Sequence, residues 1–508
     1  MEKNLPAGAP PKWLGSRGEE LKNIVSLLGE GFVKCQANLY NAETNPDGCI
    51  NLGTAENRLV FELLKKQINK LNVHWEDYMF TYNDMSGRPD LKKAVAQFFT
   101  NQTKSPSPVD PSKMCVFNGG GPCIEALIFA ICDPGDGVMV ATPYYGGINY
   151  DVQARARAKV IPVHFYSKLE AGQTKPFQIS IAKMESAYQE NVKKGVKIRA
   201  VFFMNPNNPL GDVCTKQEVL DLLNFCHRHS LHLIMNEVYM NTIFKEGVEH
   251  HSVLSLKPEE IPDPQRVHFV WSASKDLAMS GMRFGVLHSW NQDILDCAVM
   301  SANFHTIPVF VQTLMQQLLS DRDWLRDVFF PENNKRLLEA HNAIKDALDA
   351  IGLPYLDRPS GLYIYVDFRK FMSSITPEAE LALFHRFIKE GIYLAPSQAF
   401  FSDECGWFRI VFSRPLIETK LAMDRLGKVC KQLLEEKSNV ASGGDAEATN
   451  TLLGEVDHLT VAEGSTLENL LSQLKTGIQN SDWLKTNTAD QWKDENPEAY
   501  KAYMENFK

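Results

Sequence analysis

Between about Ser112 and Ser289, short apolar runs alternate with stretches of helical periodicity. The runs at 114–117, 137–141, 159–163, 198–204, 231–235, 267–271 and 283–287 predict strands. Most are near-continuous apolar segments rather than alternating ones, which suits a sheet covered on both faces. Between two of them, Thr215-Lys216-Gln217-Glu218 reads as a capping box opening the amphipathic run 219–226. This alternation predicts an α/β fold with a doubly wound, mostly parallel sheet. Ligands of such sheets bind beyond the carboxyl ends of the strands.

After Pro331 the pattern changes. A helical stretch at 334–351 precedes a strand at 361–367, a helix at 377–390, strands at 392–394 and 407–412, and a last helix at 418–435. That order predicts a smaller α+β domain. Residues 438–445 are small and polar and read as a linker. Beyond it, Ser465-Thr466-Leu467-Glu468 resembles another capping box, and Tyr500, Tyr503 and Phe507 fall at helical spacing. A docked and a disordered tail both stay open here.

At 508 residues the chain exceeds one typical domain. Its net charge of −9 comes without a basic tract, which argues against nucleic acid and anionic membranes as partners. No run of eighteen apolar residues exists, so no membrane span is expected. Residues 1–16 lack the apolar core of a secretory leader, and the expected location is cytoplasmic. The ten cysteines form no Cys-x-x-Cys pair and no zinc-spaced cluster. Buried free thiols in a reducing compartment are expected, with no metal.

Candidate chemistry concentrates where the predicted strands end. Val270-Trp271-Ser272-Ala273-Ser274-Lys275-Asp276 leads into Ser280-Gly281-Met282-Arg283-Phe284-Gly285. A lysine amine can form a Schiff base with an aldehyde cofactor, and hydroxyls with a nearby guanidinium suit a phosphate. A strand ending in a solvated loop is the bland alternative. Asn118-Gly119-Gly120-Gly121-Pro122 is either a phosphate-binding helix start or a plain tight turn. Tyr145 in Thr142-Pro143-Tyr144-Tyr145 can stack on a planar ring or pack in a loop. Asn207 and Asn208 offer amide donors in a proline-rich turn, and Tyr239 in Asn236-Glu237-Val238-Tyr239 offers a hydroxyl. Arg409, alone in the apolar run 407–412, needs a carboxylate, either a ligand's or that of a structural ion pair.

Together these segments resemble the fold-type I, pyridoxal-phosphate-dependent aminotransferases, and more narrowly the 1-aminocyclopropane-1-carboxylate synthases with their animal synthase-like branch. The resemblance runs from about Asn45 to Leu434. It rests on Gly53-Thr54-Ala55-Glu56-Asn57, Thr142-Pro143-Tyr144-Tyr145, Asn207-Asn208-Pro209-Leu210-Gly211, Ser274-Lys275-Asp276 with Gly281-x-Arg283-Phe284-Gly285, and Gly406-Trp407-Phe408-Arg409 in family order. Asp212-Val213 and Asp263-Pro264-Gln265-Arg266 point to the animal branch.

The resemblance implies pyridoxal 5'-phosphate as cofactor, a small α-amino acid as substrate and a homodimer. Lys275 matches the lysine that joins the cofactor aldehyde and moves the proton at the substrate α-carbon. Ser272, Ser274, Arg283 and the amides of Gly120 and Gly121 match phosphate ligands. Tyr145 matches the ring-stacking residue, and Asn208 and Tyr239 the donors to the phenolic oxygen. Arg409 matches the α-carboxylate clamp, and Glu56 an acidic residue at the substrate end. The implied organisation is an arm at 1–44, an interface segment with the first part of the small domain at 45–111, a large cofactor domain at 112–330, the rest of the small domain at 331–437, and a linker and tail at 438–508.

Two positions depart from the family. It carries an aspartate where this chain has Asn236, and that carboxylate keeps the cofactor ring nitrogen protonated. A neutral amide cannot, which predicts slower proton abstraction by about a hundredfold or more. Plant synthases carry a tyrosine, reaching across the dimer, where this chain has Met85, whose thioether donates no hydrogen bond to a phosphate. The expected activity is therefore transamination or β/γ-elimination. The alternatives are a catalytically impaired cofactor-binding protein with a protein-interaction role and, less favoured, cyclisation of S-adenosylmethionine.

Overall fold

The computed structural model describes residues 13–24 and 26–441. After a two-residue strand, β1 (Ile50–Asn51), seven strands build the principal sheet: β2 (Met114–Phe117), β3 (Gly137–Thr142), β4 (Lys159–His164), β5 (Ile198–Met204), β6 (His232–Asn236), β7 (Val267–Ser272) and β8 (Gly285–Ser289). They lie in the order β2-β8-β7-β6-β5-β3-β4. Only β8 runs against its neighbours; β3 to β7 pair in parallel.

The apolar runs are explained by burial on both faces. Side chains alternate sides along a strand. On β5, Ala200, Phe202 and Met204 join one hydrophobic cluster, while Val201 and Phe203 join the other. Each face thus needs its own apolar residues, and polar alternation disappears. The capping box forms as read: Thr215 Oγ1 accepts from the Glu218 amide at 3.2 Å, and Glu218 Oε2 accepts from the Thr215 amide at 2.8 Å.

All seven expected strands form, with two shifts that matter for the site. β6 extends to Asn236, which pairs with Met204 and so is fixed at the strand end. Arg283 is not a strand residue. It holds φ +51°, in the left-handed region, and β8 starts only at Gly285.

Five further strands follow: β9 (Tyr355–Leu356), β10 (Tyr363–Asp367), β11 (Ile392–Tyr393), β12 (Ala395–Pro396) and β13 (Trp407–Val411). Four of them form an antiparallel sheet in the order β12-β13-β10-β9. β11 pairs in parallel with β1, tying the early chain to the late one. Around them lie the helices Phe330–Ile351, Pro377–Lys389 and Leu416–Ala441.

Residues 13–24 and 26–434 group as one compact unit. The last helix continues through Ala441, so the expected linker does not begin at Ser438. Ser438 Oγ donates to the Glu435 carbonyl at 2.9 Å, a local bond that lets serine remain helical. The rest of the expected linker, the two tail helices and the first part of the arm lie outside the described residues. Eight cysteines are buried, but Cys297 is exposed and Cys405 half-buried, against the expectation of buried thiols throughout. Among the described residues no single helix is long and apolar enough to cross a membrane.

Candidate active site

The parallel strands deliver their following loops to one edge of the sheet. β2 leads to Gly120 and Gly121, β3 to Tyr145, β5 to Asn208, β6 to Asn236 and Tyr239, and β7 to Ser272, Ser274 and Lys275. There a cavity of about 550 Å³ is lined by all of these, by Arg283, and by Arg409 from β13. Glu56 is the one expected residue missing from the wall. It stands behind Ser280, whose hydroxyl donates to Glu56 Oε1 at 3.0 Å, so a neighbour the motifs did not flag occupies its place.

Three basic side chains converge on the cavity. Lys275 sits in the single turn Ala273–Asp276 after β7. Asp276 fixes that turn by accepting from Trp271 Nε1 at 2.8 Å and from the Asn241 amide and Nδ2 at 3.1 and 2.9 Å. Lys275 Nζ donates to the Ala55 carbonyl at 2.5 Å. Burial pushes its pKa down to about 8, helped by the charges of Arg409 and Arg283 and opposed by Glu56.

Arg283 donates through Nη1 to the Ser280 carbonyl at 3.0 Å. Its guanidinium passes so close to Gly119 that a Cβ there would lie 2.4 Å from Nη2, and Gly119 itself holds φ +130°. Glycine is therefore required at the entrance to the helix Gly120–Ile131.

Arg409 is 2% exposed. Its Nη1 donates to Asn208 Oδ1 at 2.7 Å and its Nη2 to the Gly53 carbonyl, while Nε has no acceptor. The rings of Phe400 and Tyr363 flank the guanidinium at 4.8 and 5.1 Å. Among the described residues, none of Lys275, Arg283 and Arg409 forms an ion pair with a carboxylate; the structural ion pair left open for Arg409 is not there. All its protein acceptors are neutral, and the charge stays available to an anion.

Asn236 and Tyr239 add uncharged groups to the same cavity. Asn236 Oδ1 accepts from the Val238 amide at 3.3 Å, which leaves Nδ2 as the group offered to a ligand. The next residue, Glu237, does not supply the missing charge. It is fully buried and turned to His250 Nε2 at 2.8 Å and the Val253 amide at 3.0 Å. Tyr239 packs edge-to-face on Tyr363 at 5.5 Å, and burial pushes its hydroxyl well above the usual tyrosine range.

The description "aminotransferase class I and II" fits residues 47–426. The chain belongs to that family. It is 39% identical over 430 residues to the human 1-aminocyclopropane-1-carboxylate synthase-like protein 1, a match covering 84% of this chain and 85% of that protein. It is 34% identical to the human protein named "probable inactive 1-aminocyclopropane-1-carboxylate synthase-like protein 2", covering 84% of this chain and 74% of the other. A double mutant of Thermus thermophilus aspartate aminotransferase superposes with a TM-score of 0.67 at 21% identity, over 82% of this chain and all of that one. The architecture is thus that of the fold-type I aminotransferases.

Within this family member the cavity has parts that no motif announced. Asp151 lines it near Gly121, where a Cβ would lie 3.1 Å from Oδ1. Its carboxyl has no hydrogen-bond partner among the described residues. Burial, with the charge of Glu125, pushes its pKa up to about 8. Tyr393 and the helix Leu27–Gln36 close another side. Met85 is half-buried against the core and Tyr82 is 95% exposed; neither lines this cavity.

Proposed function

We propose that this chain binds pyridoxal 5'-phosphate and acts on a small α-amino acid by transamination or β/γ-elimination, as a cytoplasmic homodimer. One observation carries the reading: three basic side chains share a cavity wall with no carboxylate paired to any of them among the described residues. Arg409 is buried with no counter-charge, which is costly, so the cavity favours an anion there. A phosphate and an α-carboxylate are two anions, and a lysine of lowered pKa suits an aldehyde.

The donor set fits the cofactor. The amides at the start of the helix Gly120–Ile131, the hydroxyls of Ser272 and Ser274, and Arg283 would hold the phosphate. Tyr145 would cover the ring, and Asn208 and Tyr239 would donate to its phenolic oxygen. Bound pyridoxal phosphate supplies an electron sink for charge developing at the substrate α-carbon.

The chain's own groups do the rest. Arg409 orients the α-carboxylate with its planar fork. Lys275 Nζ, with its pKa near 8, is neutral often enough to take the proton from the α-carbon and return it. Asn236 Nδ2 would be the donor offered to the ring nitrogen, but a carboxamide cannot hold a proton there. The lost charge slows proton removal by about a hundredfold or more.

The homodimer is supported by large apolar side chains left exposed, among them the stacked pair Trp75 and Phe80, at 67% and 72%. Asn236, with Glu237 turned away, favours a second reading: an impaired cofactor-binding protein with a protein-interaction role. Met85 offers no donor for cyclisation of S-adenosylmethionine. The visible spectrum of the purified protein with and without borohydride tests the first reading. A cofactor band that borohydride removes irreversibly supports it. Protein that shows no such band after incubation with pyridoxal phosphate contradicts it.

A further inference from the structure

Once Lys275, Arg283 and Arg409 are engaged by the cofactor and the α-carboxylate, no basic side chain among this chain's described residues remains on the cavity wall. A substrate with a second carboxylate would find no counter-charge. What remains beside Arg409 and Ala55 is the face of an N-terminal helix.

That helix, Leu27–Gln36, starts at Ser26, whose hydroxyl accepts from the Gly29 amide at 3.2 Å. Ser26, Leu28, Gly29 and Phe32 line the cavity. Leu28 and Phe32 are four residues apart, so they share one helix face. Phe32 is 43% exposed although it is large and apolar.

Tyr393 locks the helix in place. Its hydroxyl donates to the Leu28 carbonyl at 3.0 Å, and its ring also lines the cavity. The ring fits only because glycine stands on both sides: a Cβ at Gly31 would lie 2.2 Å from it, and one at Gly53 would lie 2.3 Å away. Gly53 also supplies the carbonyl that receives Arg409 Nη2. The apolar helix face is therefore registered to the carboxylate clamp through one side chain.

We propose that Leu28, Phe32 and the ring of Tyr393 form the substrate side-chain subsite, selecting α-amino acids with uncharged apolar or aromatic side chains over acidic ones. This rests on the reading of the cavity as an amino-acid site and names its substrate class.

The test is titration of the pyridoxal-phosphate-loaded full-length protein with L-alanine, L-leucine, L-phenylalanine, L-aspartate and L-glutamate, read by the cofactor's absorbance change. Leucine and phenylalanine bind at least about tenfold more tightly than aspartate or glutamate. Phe32→Ala weakens phenylalanine about tenfold while leaving alanine within about twofold. Phe32→Lys, on the same exposed helix face, shifts preference towards aspartate and glutamate. Equal or tighter binding of the acidic amino acids by the natural protein overturns the proposal, as does an equal loss of alanine and phenylalanine in Phe32→Ala. Failure to take up pyridoxal phosphate at all overturns the underlying reading as well, and is seen before any amino acid is added.

Discussion

Two sets of side chains on the cavity wall are built on different terms. Lys275, Arg283 and Arg409 are basic, and none of them is ion-paired to a carboxylate among the described residues. Asn236 presents a neutral amide, and the carboxylate beside it, Glu237, is buried against His250. On the proposed reading the basic set holds anions, and Asn236 stands where a carboxylate would keep a ring nitrogen protonated. Holding a cofactor and turning over a substrate therefore place separate demands on this chain, and substitutions can probe one without the other.

The largest effect falls on the basic set. Lys275→Ala abolishes the borohydride-reducible attachment of pyridoxal phosphate, read as covalently labelled protein by mass spectrometry. Stoichiometric labelling of one site in that variant places the attachment elsewhere and breaks the comparison. Next is Arg409→Ala, which removes a bidentate carboxylate partner. It weakens α-amino acid binding by about a hundredfold, equivalent to two tenfold steps of about 1.4 kcal/mol, with covalent attachment of the cofactor retained. Unchanged amino-acid affinity in a spectral titration moves the clamp away from β13.

A smaller effect sharpens the comparison through pH. Burial raises the pKa of Asp151 to about 8, so the carboxyl is neutral below that pH and negative above it. Near Gly121, that new charge repels a phosphate as pH rises. The dissociation constant for pyridoxal phosphate increases about tenfold from pH 7 to pH 9 in the natural protein, and Asp151→Asn flattens the increase. Lys275 titrates in the same range, so the difference between the two proteins is the quantity to measure. Identical profiles remove Asp151 from the phosphate end.

The parts of this arrangement visible along the chain are those with local signals. Near-continuous apolar runs marked β2 to β8 because both faces of the sheet are covered. The serine, glycine and lysine turns were readable because the loops after parallel strands share one edge. The two-residue strands β1, β9 and β12 were not resolved as such, since so short a pairing leaves no period to detect, whereas β11 falls inside the expected run at 392–394. Asp151 lies six residues beyond Tyr145 in the short helix Ile148–Gln153, where nothing local marks it as a cavity residue. Tyr393 and Phe32 reach the cavity only through tertiary packing, from opposite ends of the chain. Arg409 was ambiguous because an arginine in an apolar strand reads the same whether its partner is a ligand or a protein carboxylate. With no carboxylate paired to it among the described residues, the structural ion pair falls away.

The central claim is that the cavity keeps its binding groups while Asn236 lowers its electronic competence. The direct measurement is the single-turnover rate of half-transamination with L-alanine in the natural protein and in Asn236→Asp, both loaded with pyridoxal phosphate. A carboxylate at that position raises the pKa of the ring nitrogen and stabilises charge at the α-carbon. The account predicts a rate about a hundredfold higher in the aspartate variant, with cofactor affinity within about threefold of the natural protein. An unchanged rate, with the cofactor attached at Lys275 in both proteins, contradicts it.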